Sequence, residues 1–576
     1  MNHTHRWWSG LTTAGRKQWH KLRRVIGDVF ALHIKDRSLR FTERFVAGWV
    51  AVSVLILALL LHQQGSLTDH YLEPVPVSGG EYREGIVGEV GGINPIFDGD
   101  QVSRSAERLL FSSLFRYDQN SDLVKDLAES YEISDDETTY TVQLRDDVVW
   151  HDGRSLTADD VVFTYATIQN PETDSSLAMQ WEDISIEAVD ERTVAFELPN
   201  RYAPFLHQLT TGIVPEHRLA DVEPDRLRIS SFNDEPVGSG PFQFDRISGS
   251  GEIRLSRFDD YYGPAPGLDR FTLVVFEDKS AMTSNYERGQ LNAMLADNSF
   301  QLASLEQSDN LQTDQLSTTS QTFAFFNNER FSDTSKRQAL SYVTNTAALV
   351  SAVDDNVRVA DSVLRPEHHG YKPVAYEHDV DQAQELLQSA GWSHDAEAWQ
   401  DDGEPLQIEI ATQDSGHYRQ AARQLKQQWR DFGVAAEVAY YEPDELQDER
   451  IAPRDYDVLL FALALEPDPD VYAYWHSSQA DEGRNVAQYD SQPADVNLED
   501  GRTRTDPDLR AAKYETFQSI WSEDAPAIPL YQLQYTYVSR DQVDGVDTDT
   551  IMSTDHRYHN VADWSVNTEP KLRREL

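Results

Sequence analysis

The residues of this chain best suited to chemistry are its acids and histidines. There are 98 Asp and Glu and 17 His, and there is no Cys. Without Cys there is no disulfide, thiolate metal site, thiol nucleophile or lipid-modified Cys anchor. No Walker A, G-x-S-x-G, H-E-x-x-H or paired C-x-x-C occurs, which removes the common signatures of ATP hydrolysis, acyl transfer and zinc proteolysis. Two carboxylates can hydrolyse a glycoside, but among 98 acids any one pairing carries no information. Pro467-Asp468-Pro469-Asp470 and Asp544–Asp549 look in part like calcium loops. The Gly and the closing Glu of an EF-hand loop are missing, and Pro-Asp pairs are turn formers. His368-His369 either holds a metal or metal chelate or stands as solvated loop residues. No catalytic residue, metal ligand or cofactor is assigned, and the chain is expected not to be an enzyme.

The same acids decide which partners are excluded. Lys and Arg number 50, giving a formal net charge of −48. Such a surface repels a polyanion, so nucleic-acid binding is excluded. The charge is uneven: residues 1–44 hold ten Lys and Arg against three acids, which leaves −55 on the remainder. Only ten of the cations are Lys, against forty Arg. A surface this rich in acids suits a protein in high salt, with biased genome composition as the alternative.

Phe45–Leu61 is seventeen residues without a charge, and none follows until Asp69. At ~1.5 Å per residue, such a stretch reaches across a hydrocarbon core of ~30 Å. No small-x-small cleavage site follows, so residues 45–67 are expected to form an uncleaved transmembrane signal anchor. The basic arm, residues 1–44, then lies in the cytoplasm and the acidic body outside the cell. Residues 68–81, with Pro74, Pro76, Gly79 and Gly80, read as a linker.

The length of 576 residues calls for three or four compact units beyond a single core. Tyr140, Val142 and Leu144 alternate, as do Ile184, Ile186 and Ala188, then Val194, Phe196 and Leu198; these predict antiparallel hairpins. Thr157 with Asp160 predicts a capping box ahead of a helix carrying Val161, Tyr165 and Ile168. Leu406, Ile408 and Ile410 predict a strand. Tyr418, Ala422, Leu425, Trp429 and Phe432 then predict a helix that Gly433 ends. Val434–Tyr440 is a second strand, and Tyr456–Leu465 an apolar run fit for a strand buried on both faces. A further helix runs from Ala383 to Ala390, and Asp490–Asp508 reads as solvated surface. The outer body is therefore expected to be α/β, strand-rich first and doubly wound second.

Several segments, in order, resemble the extracytoplasmic solute-binding proteins of peptide and nickel ABC importers, the family 5 dipeptide/oligopeptide-binding class. The first runs from Leu127-Ala128-Glu129-Ser130-Tyr131 through Trp150-His151-Asp152-Gly153 to Leu156-Thr157-Ala158-Asp159-Asp160-Val161. The second is Pro236-Val237-Gly238-Ser239-Gly240-Pro241-Phe242 with Phe258-Asp259-Asp260-Tyr261-Tyr262. The third is Phe325-Phe326-Asn327 with Lys336-Arg337-Gln338-Ala339-Leu340. The fourth is Asp468-Pro469-Asp470 with Trp475-His476-Ser477-Ser478, followed by Pro526–Tyr531. Together they cover roughly residues 82–550.

The resemblance implies a two-lobe, clamp-like periplasmic-binding-protein fold of the large peptide-binding type. Lobe I would be residues 82–320, with a strand-rich subdomain at 105–235. Lobe II would be 321–525, with a return to lobe I at 526–565 and a tail at 566–576. The implied partners are a peptide ligand, an ABC permease and, through it, ATPase subunits. A metal chelate, an oligosaccharide or a ligand-sensing role is the alternative. Closure over a peptide leaves its ammonium out of water, so a buried acid should meet it. Relatives often carry that Asp where Leu465 stands here, which turns attention to Asp468 and Asp470; the alternative for both is a turn or N-cap. The resemblance also points to Asn94, Phe97 and Asp98 in the first strand-exit loop, and to Gly238, Ser239 and Gly240 near a lobe crossing. Asn327 and Trp475 complete the expected ligand-binding residues, with a strand end and the lobe II core as their alternatives.

Overall fold

A computed structural model describes residues 48–56, 72–296, 311–353, 356–395, 398–401, 403–541, 543–548 and 551–572. The arm at 1–44 and the expected anchor, apart from helical residues 48–56, lie outside the described residues. Among the described residues no helix is long and apolar enough to cross a membrane. The chain divides into two units, residues 1–75 with 568–576, and residues 76–567. In the smaller unit, the strand Leu72–Val77 pairs with Asn567–Leu572. Parts of the expected linker and tail are thus strand.

The larger unit is built on an 11-stranded sheet. Its two long members, Leu311–Phe326 and Ala527–Arg540, run antiparallel along most of their length, with a register shift between Ser317 and Gln321. On one side of this pair lie Val458–Ala464, Gln407–Gln413 and Ala435–Tyr441. On the other lie Ala293–Ala296, Glu81–Val87, Arg270–Phe276, Glu252–Arg257 and Phe242–Ile247, and the eleventh strand, Val357–Val359, pairs with Ala527–Arg540 off this path. The apolar interior is divided along the same line. One core takes its side chains from Tyr82 to Leu316 and from Tyr537 to Trp564, with a smaller cluster around Met282, Met294 and Val538 beside it. Two others take theirs from Phe323 to Tyr531, on the two faces of the remaining strands. The long strands pass from the first core to the second, and the two halves they join are called lobe I and lobe II below.

Local sequence explains the main elements of each lobe. The helix Ala158–Gln169 begins with the expected capping box, in which the Thr157 N–H donates to Asp160 at 2.9 Å. Period-two patterning gives a four-stranded antiparallel sheet in the order Ala128–Ile133, Thr139–Leu144, Thr193–Glu197, Ser185–Asp190. In lobe II the helix Gly416–Asp431 buries Tyr418, Ala421, Ala422, Leu425 and Trp429 on one face. Burying each large apolar side chain contributes roughly 1.5–3 kcal/mol. Gly433 follows at φ +100°, where the absence of Cβ lets the chain turn into the next strand. Gln407–Gln413 is parallel to both Ala435–Tyr441 and Val458–Ala464, so lobe II is doubly wound as the pattern predicts. Asp490–Asp508 differs from expectation. It forms the helix Gln492–Thr503 and the start of Pro507–Asp524, because Ala494 and Leu498 pack into the lobe II core.

Candidate functional site

The lobe I wall of the seam is built by the loop after Glu81–Val87 and by the helix Gln101–Leu110, which Asp100 caps by accepting from the Ser103 N–H. Asn94 is buried and shapes this loop. Its side chain donates to Asn233 at 2.9 Å and accepts from the Ile96 N–H, while its own N–H donates to Glu107 at 3.2 Å. Phe97 lies under the Arg228 guanidinium, 4.3 Å from ring centroid to Cζ. Asp98 pairs with Arg104 at 3.2 Å, both exposed. Phe97, Asp98, Arg104, Glu107, Arg108 and Asp555 line a cavity of about 150 Å³. Burial pushes the Glu107 carboxyl up to about 8, against the Asn94 N–H and Arg104. Arg108 approaches Asp555 at 3.4 Å.

The lobe II wall is the segment after Val458–Ala464. Leu465 points into the lobe II core and is 1% exposed. Glu466, beside it, is exposed. Among the described residues its carboxylate makes no hydrogen bond or ion pair. Desolvation raises it above the ordinary range, Arg365 opposes that, and Asp555, Arg104 and Asp98 of the opposite wall also act on it. Arg365 is fully buried and donates to the Thr318 and Met552 carbonyls at 2.9 and 3.0 Å. Its Nε and Nη2 have no partner among the described residues, and burial lowers it to about 10.

The two aspartates singled out by sequence are held by arginines. Asp468 accepts from Arg510 through both oxygens at 2.6 Å, and burial, which would raise it, is outweighed by that guanidinium. Asp470 accepts from Arg502 at 2.9 Å and from the Tyr472 N–H at 3.2 Å; here burial prevails and the carboxyl is raised. Both are therefore neutralised from within lobe II. Asp468 also faces lobe I, where His207 Nε2 stands 3.3 Å from Oδ2. The Nδ1 of His207 is bonded to the Tyr117 hydroxyl at 2.7 Å.

The remaining expected residues are placed by packing. A Cβ on Gly238 would stand 1.9 Å from the Leu110 carbonyl oxygen, and one on Gly240 2.7 Å from the Leu110 carbonyl carbon. The Gly240 N–H donates to Leu110 at 2.8 Å and the Gly238 N–H to His151 Nδ1 at 3.1 Å. The Ser239 carbonyl accepts from Ser112. These glycines serve a close backbone approach inside lobe I. Asn327 donates to the Arg454 carbonyl at 2.9 Å and accepts from the Glu329 and Arg330 N–H groups. Trp475 is fully buried against Phe323, Phe325 and Trp521. Of the expected residues, then, Phe97 and Asp98 meet at the lobe I cavity and Asp468 faces the seam. Sequence reasoning passed over Glu466, Arg365, Glu107 and His207. Only Glu466 had a signal, as the next acid beside Leu465.

Comparisons with known proteins agree with this architecture. The family described as bacterial extracellular solute-binding proteins, family 5 Middle, matches residues 122–484. The oligopeptide-binding protein AppA of Bacillus subtilis is 28% identical over 471 residues, 79% of this chain and 87% of that protein. The solved structure of AppA in complex with a nonapeptide has a TM-score of 0.66 at 27% identity, covering 85% of this chain and 99% of that one. NikZ from Campylobacter jejuni in complex with Ni(L-His) has a TM-score of 0.66 at 28% identity, covering 84% and 99%.

Proposed function

Because the chain belongs to family 5 of the bacterial extracellular solute-binding proteins, which are transport receptors and not enzymes, we propose that it captures peptides and hands them to the permease of an ABC importer. ATP is hydrolysed by that importer's own subunits. The observation that carries the peptide reading is Glu466, an exposed carboxylate that makes no hydrogen bond or ion pair among the described residues and on which Arg365 of its own lobe and Asp555, Arg104 and Asp98 of the other act. A peptide ammonium arriving there gains a charge-assisted contact that no protein group supplies. Peptide amides can pair with strand edges, and variable side chains can sit in water-filled space.

We propose further that residues 45–67 anchor the receptor in the membrane, with residues 1–44 in the cytoplasm and the clamp outside. The uncharged run Phe45–Leu61 and its basic flank support this. The anchor would do the work of the lipid tether that a Cys-free chain lacks. Resistance of the full chain to alkaline carbonate extraction, lost on deleting 45–61, is the expected result; release of both forms would overturn it.

A non-peptide solute such as a metal chelate is the second reading. Leu465 in place of an acid favours it, as does the likeness to NikZ bound to Ni(L-His). Native mass spectrometry of the gently extracted full chain, with released ligands sequenced, separates the two. A ladder of mixed peptides supports the first reading. A single non-peptide mass overturns it, as does an empty protein that fails to bind pooled tri- to nonapeptides.

A further inference from the structure

Beside the cleft, the lobes meet at a second polar seam made by a few side chains. From lobe I comes the segment Tyr202–Leu209, whose Phe205 and Leu209 are rooted in the lobe I core. From lobe II come Asp468 and the two arginines that hold the aspartates. The Ala203 N–H donates to the Arg502 carbonyl at 2.8 Å. The Arg502 guanidinium lies between two rings, 4.2 Å from Tyr472 of its own lobe and 5.2 Å from Tyr202 of the other. His207 bridges the Tyr117 hydroxyl at 2.7 Å and Asp468 at 3.3 Å. Thr505 donates to Glu137 at 2.9 Å, extending the seam further along lobe I.

The contacts of Ala203 and Tyr202 with Arg502, of His207 with Asp468 and of Thr505 with Glu137 join groups that parting of the lobes would separate. The lobe II side stays in place without its partner, because Arg510 and Arg502 already fix Asp468 and Asp470. Asp468 can only accept, so it calls for the Nε2–H tautomer of His207, which leaves Nδ1 to accept from Tyr117. A preformed acceptor on one lobe and an oriented ring on the other make contacts whose strength depends on closure and not on what the cleft holds.

We propose that His207 and Tyr202 of lobe I, docking on Asp468 and Arg502 of lobe II, form a clasp that stabilises the closed clamp independently of the ligand. The Asp468-Pro469-Asp470 segment is then closure machinery, while Glu466 faces the ligand. The clasp rests on the receptor reading for its purpose. It multiplies the affinity of every ligand by the same factor, since binding draws on a closed state already favoured. A receptor for solutes of varied structure gains affinity this way without gaining selectivity.

The test needs no ligand, so its outcome is separate from that of the peptide reading. Glu187 and Arg423 are exposed, one on each lobe, in a chain without Cys. Spin labels on Glu187→Cys and Arg423→Cys in the full-length protein report the distance between lobes. The expected result is a ratio of closed to open forms in the ligand-free protein that falls about three- to ten-fold in His207→Phe, the factor one net polar contact supplies. Tyr202→Leu, which leaves both aspartate–arginine pairs intact, shifts it the same way by a smaller factor. Melting curves confirm that each variant is folded. Distance distributions unchanged in both variants, or a ligand-free protein with no closed population, would overturn the clasp.

Discussion

Arg557 lies against Glu84 with Nη2 2.5 Å from Oε1, and neither side chain has any exposed surface. The Tyr558 hydroxyl donates to the same carboxylate at 2.6 Å and the Tyr537 hydroxyl at 2.7 Å. Ser105 of the helix Gln101–Leu110 receives a bond from Arg557 at 3.1 Å. One ion pair thus ties the returning chain to the central lobe I strand and to the helix that lines the cleft.

Breaking such a pair leaves a charge buried without a partner. Arg557→Leu is expected to destabilise the fold by about 3–5 kcal/mol, whereas replacing both Glu84 and Arg557 by Leu recovers most of that. Urea denaturation of the three proteins checks this. Equal losses in the single and double variants would mean that packing, not the charge, governs the site.

Glu466 makes the opposite prediction, because among the described residues its carboxylate has no hydrogen-bond or ion-pair partner to lose. Glu466→Gln should leave the ligand-free melting temperature unchanged or slightly higher. It should weaken binding of pooled peptides with free N-termini by about ten-fold or more. Binding of N-acetylated pools, measured by the same calorimetry, should be weak in both proteins. Equal affinity of the wild type for free and acetylated pools would remove Glu466 as the ammonium acceptor.

How much of this was visible in sequence depends on distance along the chain. Period-two and helical patterning place the hairpins of lobe I and the helix Gly416–Asp431, since each is decided within a few residues. Glu84 and Arg557 are 473 residues apart, and no local pattern announces their meeting. The cleft acid was hidden for a related reason. Which of Glu466, Asp468 and Asp470 stays unpaired is settled by Arg502 and Arg510, which arrive 32 and 42 residues after the aspartates they hold. Gly238 and Gly240 read as ligand-approach residues near a lobe crossing because a sequence shows that a Cβ is missing, not what takes its place. Here it is the Leu110 carbonyl.

Glu107 gives the protein a pH dependence of unusual sign. Its carboxyl, pushed up to about 8 by burial, keeps in the folded protein a proton that the unfolded chain, with a value of about 4.3, gives up. The unfolded state binds fewer protons between those values, so this group lowers stability as pH rises from about 5 to 8. Glu107→Gln should raise the melting temperature by about 1–3 °C at pH 8 and leave it unchanged at pH 5. Scans at constant ionic strength check this, and a variant whose curve runs parallel to the wild type would show that Glu107 is ionised throughout.

Salt acts on the surface in two opposing ways. Screening weakens exposed ion pairs such as Arg330–Asp455 and Arg257–Asp259, each worth about 0–1 kcal/mol. It also weakens repulsion among 98 acids that face only 50 Lys and Arg, and this larger imbalance decides the sign. The melting temperature should therefore rise with KCl, most steeply below about 1 M, where the Debye length shrinks from about 10 Å to about 3 Å. Glu84–Arg557 and Asp468–Arg510 are buried and contribute little to the slope. A rise that continues beyond about 1 M, where screening is nearly complete, points to hydration of the carboxylates and to a protein suited to concentrated salt. A melting temperature that falls with KCl would show that the exposed ion pairs outweigh the repulsion, and that the acidic composition reflects the genome instead.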